Sequence, residues 1–114
     1  MEGCLTPDTI SQAALEANPN KVYTVDLSKR ELVLLCSFRQ FPKLRSINLS
    51  YNKLRDIPER EGIEMLKDLR ELEVACNSIE SLDSVKNSTL ERLVASYNRI
   101  CNILPILRLK VYSI

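Results

Sequence analysis

Three stretches of the chain place aliphatic residues at the same intervals. They are Leu44–Leu54, Leu69–Ile79 and Leu90–Ile100, and each reads L-x-x-φ-x-φ-x-x-N-x-φ, where φ is aliphatic. Only Ala95 is a small residue at such a position. Alternation of aliphatic and polar residues around the fourth and sixth positions predicts a short strand with one buried face. Repetition at this spacing predicts stacked parallel strands joined by return segments.

A weaker copy precedes these three. Val22–Leu32 keeps the aliphatic positions but has Arg30 where the other copies have Asn. Its strand is predicted at Tyr23–Leu27, and its turn is expected to be looser because an arginine side chain accepts no hydrogen bond. The copies begin at residues 22, 44, 69 and 90, so the intervals are 22, 25 and 21 residues. The longest interval is expected to hold a polar surface loop or the start of a helix around residues 58–62.

This pattern resembles the leucine-rich-repeat family over residues 22–114. Repeats near 22 residues without cysteine-rich flanks look like the short intracellular subclass, which includes the phosphatase-one regulator, axonemal dynein light chain 1 and the spliceosomal A-prime protein. The resemblance implies an α/β solenoid with parallel strands on its concave face. It also implies that the ninth-position residues form an asparagine ladder, whose buried carboxamides satisfy the backbone where the chain leaves each strand. The ladder residues are Asn52, Asn77 and Asn98.

The segment before the repeats is predicted to cap them. Residues 6–18 favour one helix, with Thr6 as its N-cap and Pro7 at its first position. Its apolar stripe consists of Ile10, Ala13, Ala14 and Ala17. We therefore expect residues 1–21 to form an N-terminal capping helix and residues 22–114 to form about four repeats. A partner-binding role for the helix is the alternative.

The remaining apolar residues are assigned to return segments and to the C-terminal end. The first return is expected to use Leu34, Leu35, Phe38 and Phe41. The last interval predicts a further copy from Val111, which stops at Ile114. An end without a polar cap is expected there, because closed arrays cover their terminal repeat. Either the chain is truncated, or another chain covers that strand edge.

Composition and charge exclude several classes of function. Hydrophobic residues make up 45% of the chain but aromatic residues only 5%, which fits aliphatic rows better than a globular enzyme core. The net charge is +1 and no basic stripe is visible, so neither direct nucleic-acid binding nor membrane binding is expected. With four dispersed cysteines, no histidine and no glycine-rich loop, we expect no catalytic, cofactor or metal site. The N-terminus does not read as a signal peptide, which favours a cytoplasmic, nuclear or ciliary protein over a secreted one.

The resemblance places partner binding on the concave face. The residues expected there are Ser46, Asn48, Tyr51, Glu71, Glu73, Arg92, Val94 and Tyr97. Ser50 is expected to point the same way. Tyr51 and Tyr97 are the predicted anchors, because tyrosine is a rigid amphipathic side chain common at binding hot spots. The alternative is a merely soluble sheet in which Glu71 pairs with Arg92.

Three hypotheses about function remain open from sequence. The first is a non-catalytic protein–protein interaction scaffold or regulatory adaptor. The second is a ribonucleoprotein component, similar to the A-prime protein, that holds an RNA-binding partner. The third is a truncated form without independent activity. Sequence leaves the partner unidentified.

Overall fold

A computed structural model of the protein describes residues 3–35, 38–58, 62–87 and 89–102. Its centre is a parallel sheet whose four strands lie in chain order. The strands are β1 (Thr24–Asp26), β2 (Ser46–Asn48), β3 (Glu71–Glu73) and β4 (Arg92–Val94). One helix, α1 (Pro7–Ala14), precedes the sheet, and two short 3₁₀ helices cover Pro19–Lys21 and Ile63–Met65. The predicted parallel α/β solenoid is confirmed.

The strand register follows the repeat spacing. Val25 pairs with Ile47, Ile47 with Leu72, and Leu72 with Leu93, so the fourth-position residues form one continuous row. The sixth-position residues form a second row of Leu27, Leu49, Val74 and Ala95. Every side chain in both rows is at most 5% exposed. Since burial of a large aliphatic side chain contributes about 1.5–3 kcal/mol, these rows are the main source of stability.

Helix α1 is shorter than the sequence predicts. The Thr6 side chain accepts a hydrogen bond from the backbone N–H of Thr9, as expected of an N-cap. The helix ends at Ala14 rather than at residue 18, because Leu15 adopts a left-handed backbone (φ 55°) that closes the last turn. Ile10 is fully buried, whereas Ala17, assigned to the same apolar stripe, is exposed. The helix packs on β1.

The first return segment is only partly as predicted. Phe38 and Phe41 are fully buried, but Leu34 is 53% exposed. Leu34 contributes through its backbone instead of its side chain. The backbone forms a parallel bridge with Cys4 and accepts a hydrogen bond from the N–H of Leu5 at 3.0 Å. The residues before α1 are therefore tied to the first return segment rather than to a strand of the sheet.

The second return segment is held by a buried side chain from the third. Asn87 is 7% exposed and donates from Nδ2 to the carbonyls of Ile63 (2.8 Å) and Leu66 (2.9 Å). These bonds satisfy backbone acceptors around the Ile63–Met65 turn. Residues 59–61, at the centre of the predicted polar loop, and the copy predicted from Val111 lie outside the described residues.

Candidate functional site

The residue before each ladder position has a left-handed backbone. Lys29, Tyr51, Cys76 and Tyr97 have φ values of 58°, 59°, 56° and 58°. This conformation costs a non-glycine residue about 1–2 kcal/mol, so the neighbouring contacts must hold it in place. Because the geometry recurs in all four copies, the four side chains form a row along the carboxyl ends of the strands. We call this row the tyrosine rim.

Asn52 supplies much of the hydrogen bonding beneath the rim. Its Oδ1 accepts from the backbone N–H groups of Arg30 and Leu32, both at 3.0 Å. Its Nδ2 donates to the carbonyls of Leu27 (3.0 Å) and Leu49 (2.8 Å). Its Nδ2 also lies 3.4 Å from the Ser50 carbonyl, so one carboxamide bonds three backbone groups of the preceding copy and two of its own.

The other two ladder residues repeat this arrangement. Asn77 Oδ1 accepts from the N–H of Leu54, and Asn98 Oδ1 accepts from the N–H of Ile79, each at 3.0 Å. Asn77 Nδ2 donates to the Leu49 carbonyl at 3.0 Å. Each ladder side chain thus reaches back to the copy before it.

Because each ladder side chain bonds the copy before it, the first copy does not need an asparagine at position 30. The backbone of the Arg30 turn is bonded by Asn52 from the next copy, so the expected looseness of that turn has no basis in its hydrogen bonding. In the described residues, α1 and the Pro19–Lys21 turn rather than another copy precede this one, and the Arg30 residue is exposed.

The tyrosine rim is an exposed surface with internal contacts. Tyr51 and Tyr97 are 58% and 83% exposed. A hydrogen bond with the Cys76 side chain is the main reason that the pKa of Tyr51 lies above its ordinary value, with the nearby Tyr97 as a smaller cause. The ammonium of Lys29 lies 5.6 Å from the centroid of the Tyr51 ring, within the range of a cation–π contact. No such cation lies over Tyr97 among the residues that the structure describes.

The concave face is built from the third and fifth strand positions. Ser46, Glu71 and Arg92 lie side by side across three strands, and Asn48, Glu73 and Val94 form the parallel line beside them. Arg92 Nη1 contacts Glu73 Oε1 at 3.3 Å, so the pairing of Arg92 with Glu71 that the alternative required is wrong. Within the described ranges, the exposed Glu71 carboxylate has no ion-pair partner.

The sequence missed one feature at the end of these strands. Ser50 was expected on the concave face, but it is 6% exposed and its hydroxyl accepts from the N–H of Ala75 at 3.1 Å. The side chains of Asp26 and Asn48 accept from the backbone N–H two residues later. For Asp26, the two hydrogen bonds from Ser28 hold the pKa of the carboxyl below its usual value. An Asp or Asn two residues before Ser was the available signal for this turn.

The described part of the chain contains neither a metal-ligand cluster nor a membrane-spanning helix. No three or more His, Cys, Asp or Glu side chains there come together as metal ligands do. None of its helices has the length and apolar character needed to cross a membrane.

The family comparison matches the centre of this sheet. Residues 42–87 match the family described as leucine-rich repeats in two copies. The segment contains β2, β3 and the ladder residues Asn52 and Asn77. Leucine-rich repeats imply a protein–protein interaction module.

Curated relatives extend the similarity along the chain. The chain is 30% identical over 92 residues to the geranylgeranyl transferase type-2 subunit alpha of Homo sapiens and of Pongo abelii. The same subunit of Rattus norvegicus is 27% identical over 92 residues. Each alignment covers 80% of this chain but only 16% of the relative. Strand register, asparagine ladder and family match agree: the chain is a leucine-rich-repeat protein.

Proposed function

We propose that this chain is a non-catalytic adaptor that binds a protein partner through its concave face and tyrosine rim. The supporting observation is that Tyr51 and Tyr97 lie in one row with most of their surface exposed. Tyrosine rings on a rigid scaffold lose little conformational entropy on binding and bury much apolar area, which is why such residues are frequent anchors. The ladder beneath them supplies the rigidity.

The spacing of the two rings fits a structured partner segment. They belong to alternate copies, and neighbouring strands lie about 4.8 Å apart, so the rings are separated by about 10 Å. A helix places residues i and i+7 about 10.5 Å apart on one face. The smaller Cys76 side chain between the rings leaves room for a residue of the partner.

Polar residues of the concave face add specificity. Ser46 and Asn48 offer hydrogen-bonding groups. The Glu71 carboxylate, which has no ion-pair partner among the described residues, favours a donor or a cation on the partner. Glu73 and Arg92 already pair with each other, so they present a fixed dipole rather than free charges. Val94 continues this line as its apolar member.

We propose binding rather than transfer chemistry for this chain. Leucine-rich repeats are typically non-catalytic, and the sequence has neither a histidine nor a glycine-rich phosphate loop. The relatives are named as subunits of a geranylgeranyl transferase, but the chain spans 16% of their length, so their activity is not transferred to it. Their description as subunits is consistent with a module that works inside a larger assembly.

Affinity capture with matched variants tests the proposal. The wild-type chain, the double variant Tyr51→Ala/Tyr97→Ala and the control Leu15→Ala are used as baits in cytosolic and nuclear extracts, and bound proteins are identified by mass spectrometry. Leu15 is 93% exposed, forms the C-cap of α1 and belongs to neither the concave face nor the tyrosine rim. A protein retained by wild type and control but lost by the double variant supports the proposal. Unchanged capture by the double variant refutes it, and release by ribonuclease favours the ribonucleoprotein alternative.

A further inference from the structure

The solenoid also assembles a row at the amino ends of its strands. The second residue of each copy belongs to this row, which runs Tyr23, Arg45, Arg70 and Glu91. The carbonyl of Tyr23 accepts from the N–H of Arg45 at 2.7 Å, and the carbonyl of Arg45 accepts from the N–H of Arg70 at 2.8 Å. Two arginines that are 25 residues apart in sequence (45 and 70) thus become neighbours.

Two lysines precede these arginines on the same edge. Lys43 and Lys67 lie in the turns just before β2 and β3, and all four basic residues are exposed. We call Lys43, Arg45, Lys67 and Arg70 the amino-edge basic patch. Within the described residues none of the four forms an ion pair, although Asp68 and Glu91 lie on the same edge. The guanidinium of Arg45 instead lies over the Tyr23 ring, 5.0 Å from its centroid.

Three other basic residues on the repeats, Lys53, Arg55 and Arg92, are each paired with a glutamate of a neighbouring copy. Lys53 contacts Glu31 at 3.7 Å, and Arg55 contacts Glu80 at 3.9 Å, in each case across neighbouring copies. Complementary charges therefore lie on adjacent copies beyond the carboxyl ends of the strands, whereas at the amino ends the second and third copies carry like charges at Arg45 and Arg70. Like charges on neighbouring strands repel each other, and an external anion relieves that repulsion.

We propose that the amino-edge basic patch docks an acidic segment of a partner protein. This surface is separate from the concave face and the tyrosine rim. Arginines on adjacent strands are about 4.8 Å apart at the backbone, and alternate residues of an extended peptide are about 6.8 Å apart on one side. Two carboxylates at alternate positions therefore match Arg45 and Arg70, each of which can hold a carboxylate with two parallel N–H donors. Lys43 and Lys67 add positive charge, and a lysine ammonium binds a carboxylate with less directional geometry than a guanidinium does.

An acidic peptide fits the patch better than a nucleic acid. Single-stranded nucleic acids are bound by stacking bases on open aromatic rings. The Tyr23 ring is already covered by Arg45, and no other exposed ring lies on this edge in the described ranges. The carbonyls of Tyr23, Arg45 and Arg70 each already accept two backbone N–H groups, so they offer no strong acceptor for a base.

Fluorescence anisotropy tests the proposal on the full chain. The probe is a labelled peptide of alternating Glu and Ser residues, compared with its Gln-for-Glu analogue and with a labelled single-stranded oligouridylate. We expect the double variant Arg45→Gln/Arg70→Gln to bind the acidic peptide about tenfold more weakly than wild type, because two charge-assisted contacts are lost. The matched control Lys53→Gln/Arg55→Gln removes the same charge from residues that already have partners. We expect it to weaken binding about twofold or less.

The outcomes distinguish binding at the amino-edge basic patch from binding at the concave face and tyrosine rim. Preference for the Glu peptide over the Gln peptide, lost in the Arg45/Arg70 variant alone, supports the proposal. If both double variants lose peptide affinity equally, net charge alone accounts for binding and the proposal is overturned. An absence of peptide binding by wild type also overturns the proposal. Tighter binding of the oligouridylate than of the Glu peptide, dependent on the same arginines, overturns the choice of a protein ligand. Tyr51→Ala/Tyr97→Ala should leave peptide binding unchanged, so failure of the concave-face proposal does not affect this result.

Discussion

Substitutions at equivalent ladder positions are expected to lower the free energy of unfolding by different amounts, because each asparagine bonds a different set of backbone groups. Asn52→Ala removes the hydrogen-bond partners of two backbone donors, Arg30 N–H and Leu32 N–H, and of one acceptor, the Leu27 carbonyl. The carbonyls of Leu49 and Ser50 keep bonds from Asn77 and from the Lys29 N–H, respectively. Each buried backbone group left without a partner costs about 1–3 kcal/mol. With partial relaxation toward solvent, we expect Asn52→Ala to cost about 4 kcal/mol.

Asn77→Ala should cost less, although the residue has the same place in its copy. Only the Leu54 N–H loses its sole partner. The carbonyls of Leu49, Val74 and Ala75 keep bonds from Asn52, Asn98 and the Tyr51 N–H, respectively. We therefore expect about 2 kcal/mol.

Urea unfolding followed by circular dichroism measures these differences. Equal m values across the variants ensure that a shift in midpoint reports stability. Arg30→Ala is the matched control, because Arg30 occupies the ladder position of the Val22–Leu32 copy, which in the described residues follows α1 rather than another copy. We expect it to change stability by about 0.5 kcal/mol or less, as for an ordinary surface substitution. Equal costs for Asn52→Ala and Asn77→Ala, or a large cost for Arg30→Ala, would refute the account of the ladder as reaching backwards.

Three further changes have defined outcomes. Gly62→Ala should lower the unfolding midpoint, with a cost of about 1–3 kcal/mol, because the new Cβ would lie 2.9 Å from the Pro58 carbonyl oxygen; a midpoint equal to wild type would contradict this. Cys76→Ala should shift the pKa of Tyr51 downward toward its ordinary value, since the hydrogen bond that raises it is lost; NMR titration of the ring, assigned with Tyr51→Phe, measures the shift, and an unchanged pKa would exclude the contact. Thr6→Ala should cost about 1 kcal/mol by removing the N-cap of α1, as measured by thermal unfolding, whereas Thr6→Ser should be close to neutral.

Much of the fold was predictable because the repeat spacing carries the information. A fixed interval aligns aliphatic positions on successive strands, so the rows through Ile47 and Leu49 followed from counting. The tyrosine rim was predictable for the same reason, since Tyr51 and Tyr97 occupy one position in two copies. The length of helix α1 was less predictable. The helix ends where Leu15 adopts a left-handed backbone, and leucine has no preference for that conformation.

Side-chain contacts between copies were decided only by the tertiary structure. Register puts Arg92 beside Glu71, yet the long side chain reaches diagonally to Glu73, because its length exceeds the distance between strands. Ser50 is at an outward position of the repeat but turns to bond the N–H of Ala75.

The sequence by itself determined which residues of the four strands face the core and which face outward, because burial within the strands follows the period of the repeat. It could not determine which charges meet, since Arg92 lies opposite Glu71 in the strand register but contacts Glu73. The direction of the ladder was likewise a tertiary property: a carboxamide that bonds the previous copy makes Arg30 acceptable at the start of the solenoid. Local preferences act on one copy at a time, whereas these contacts exist only between copies.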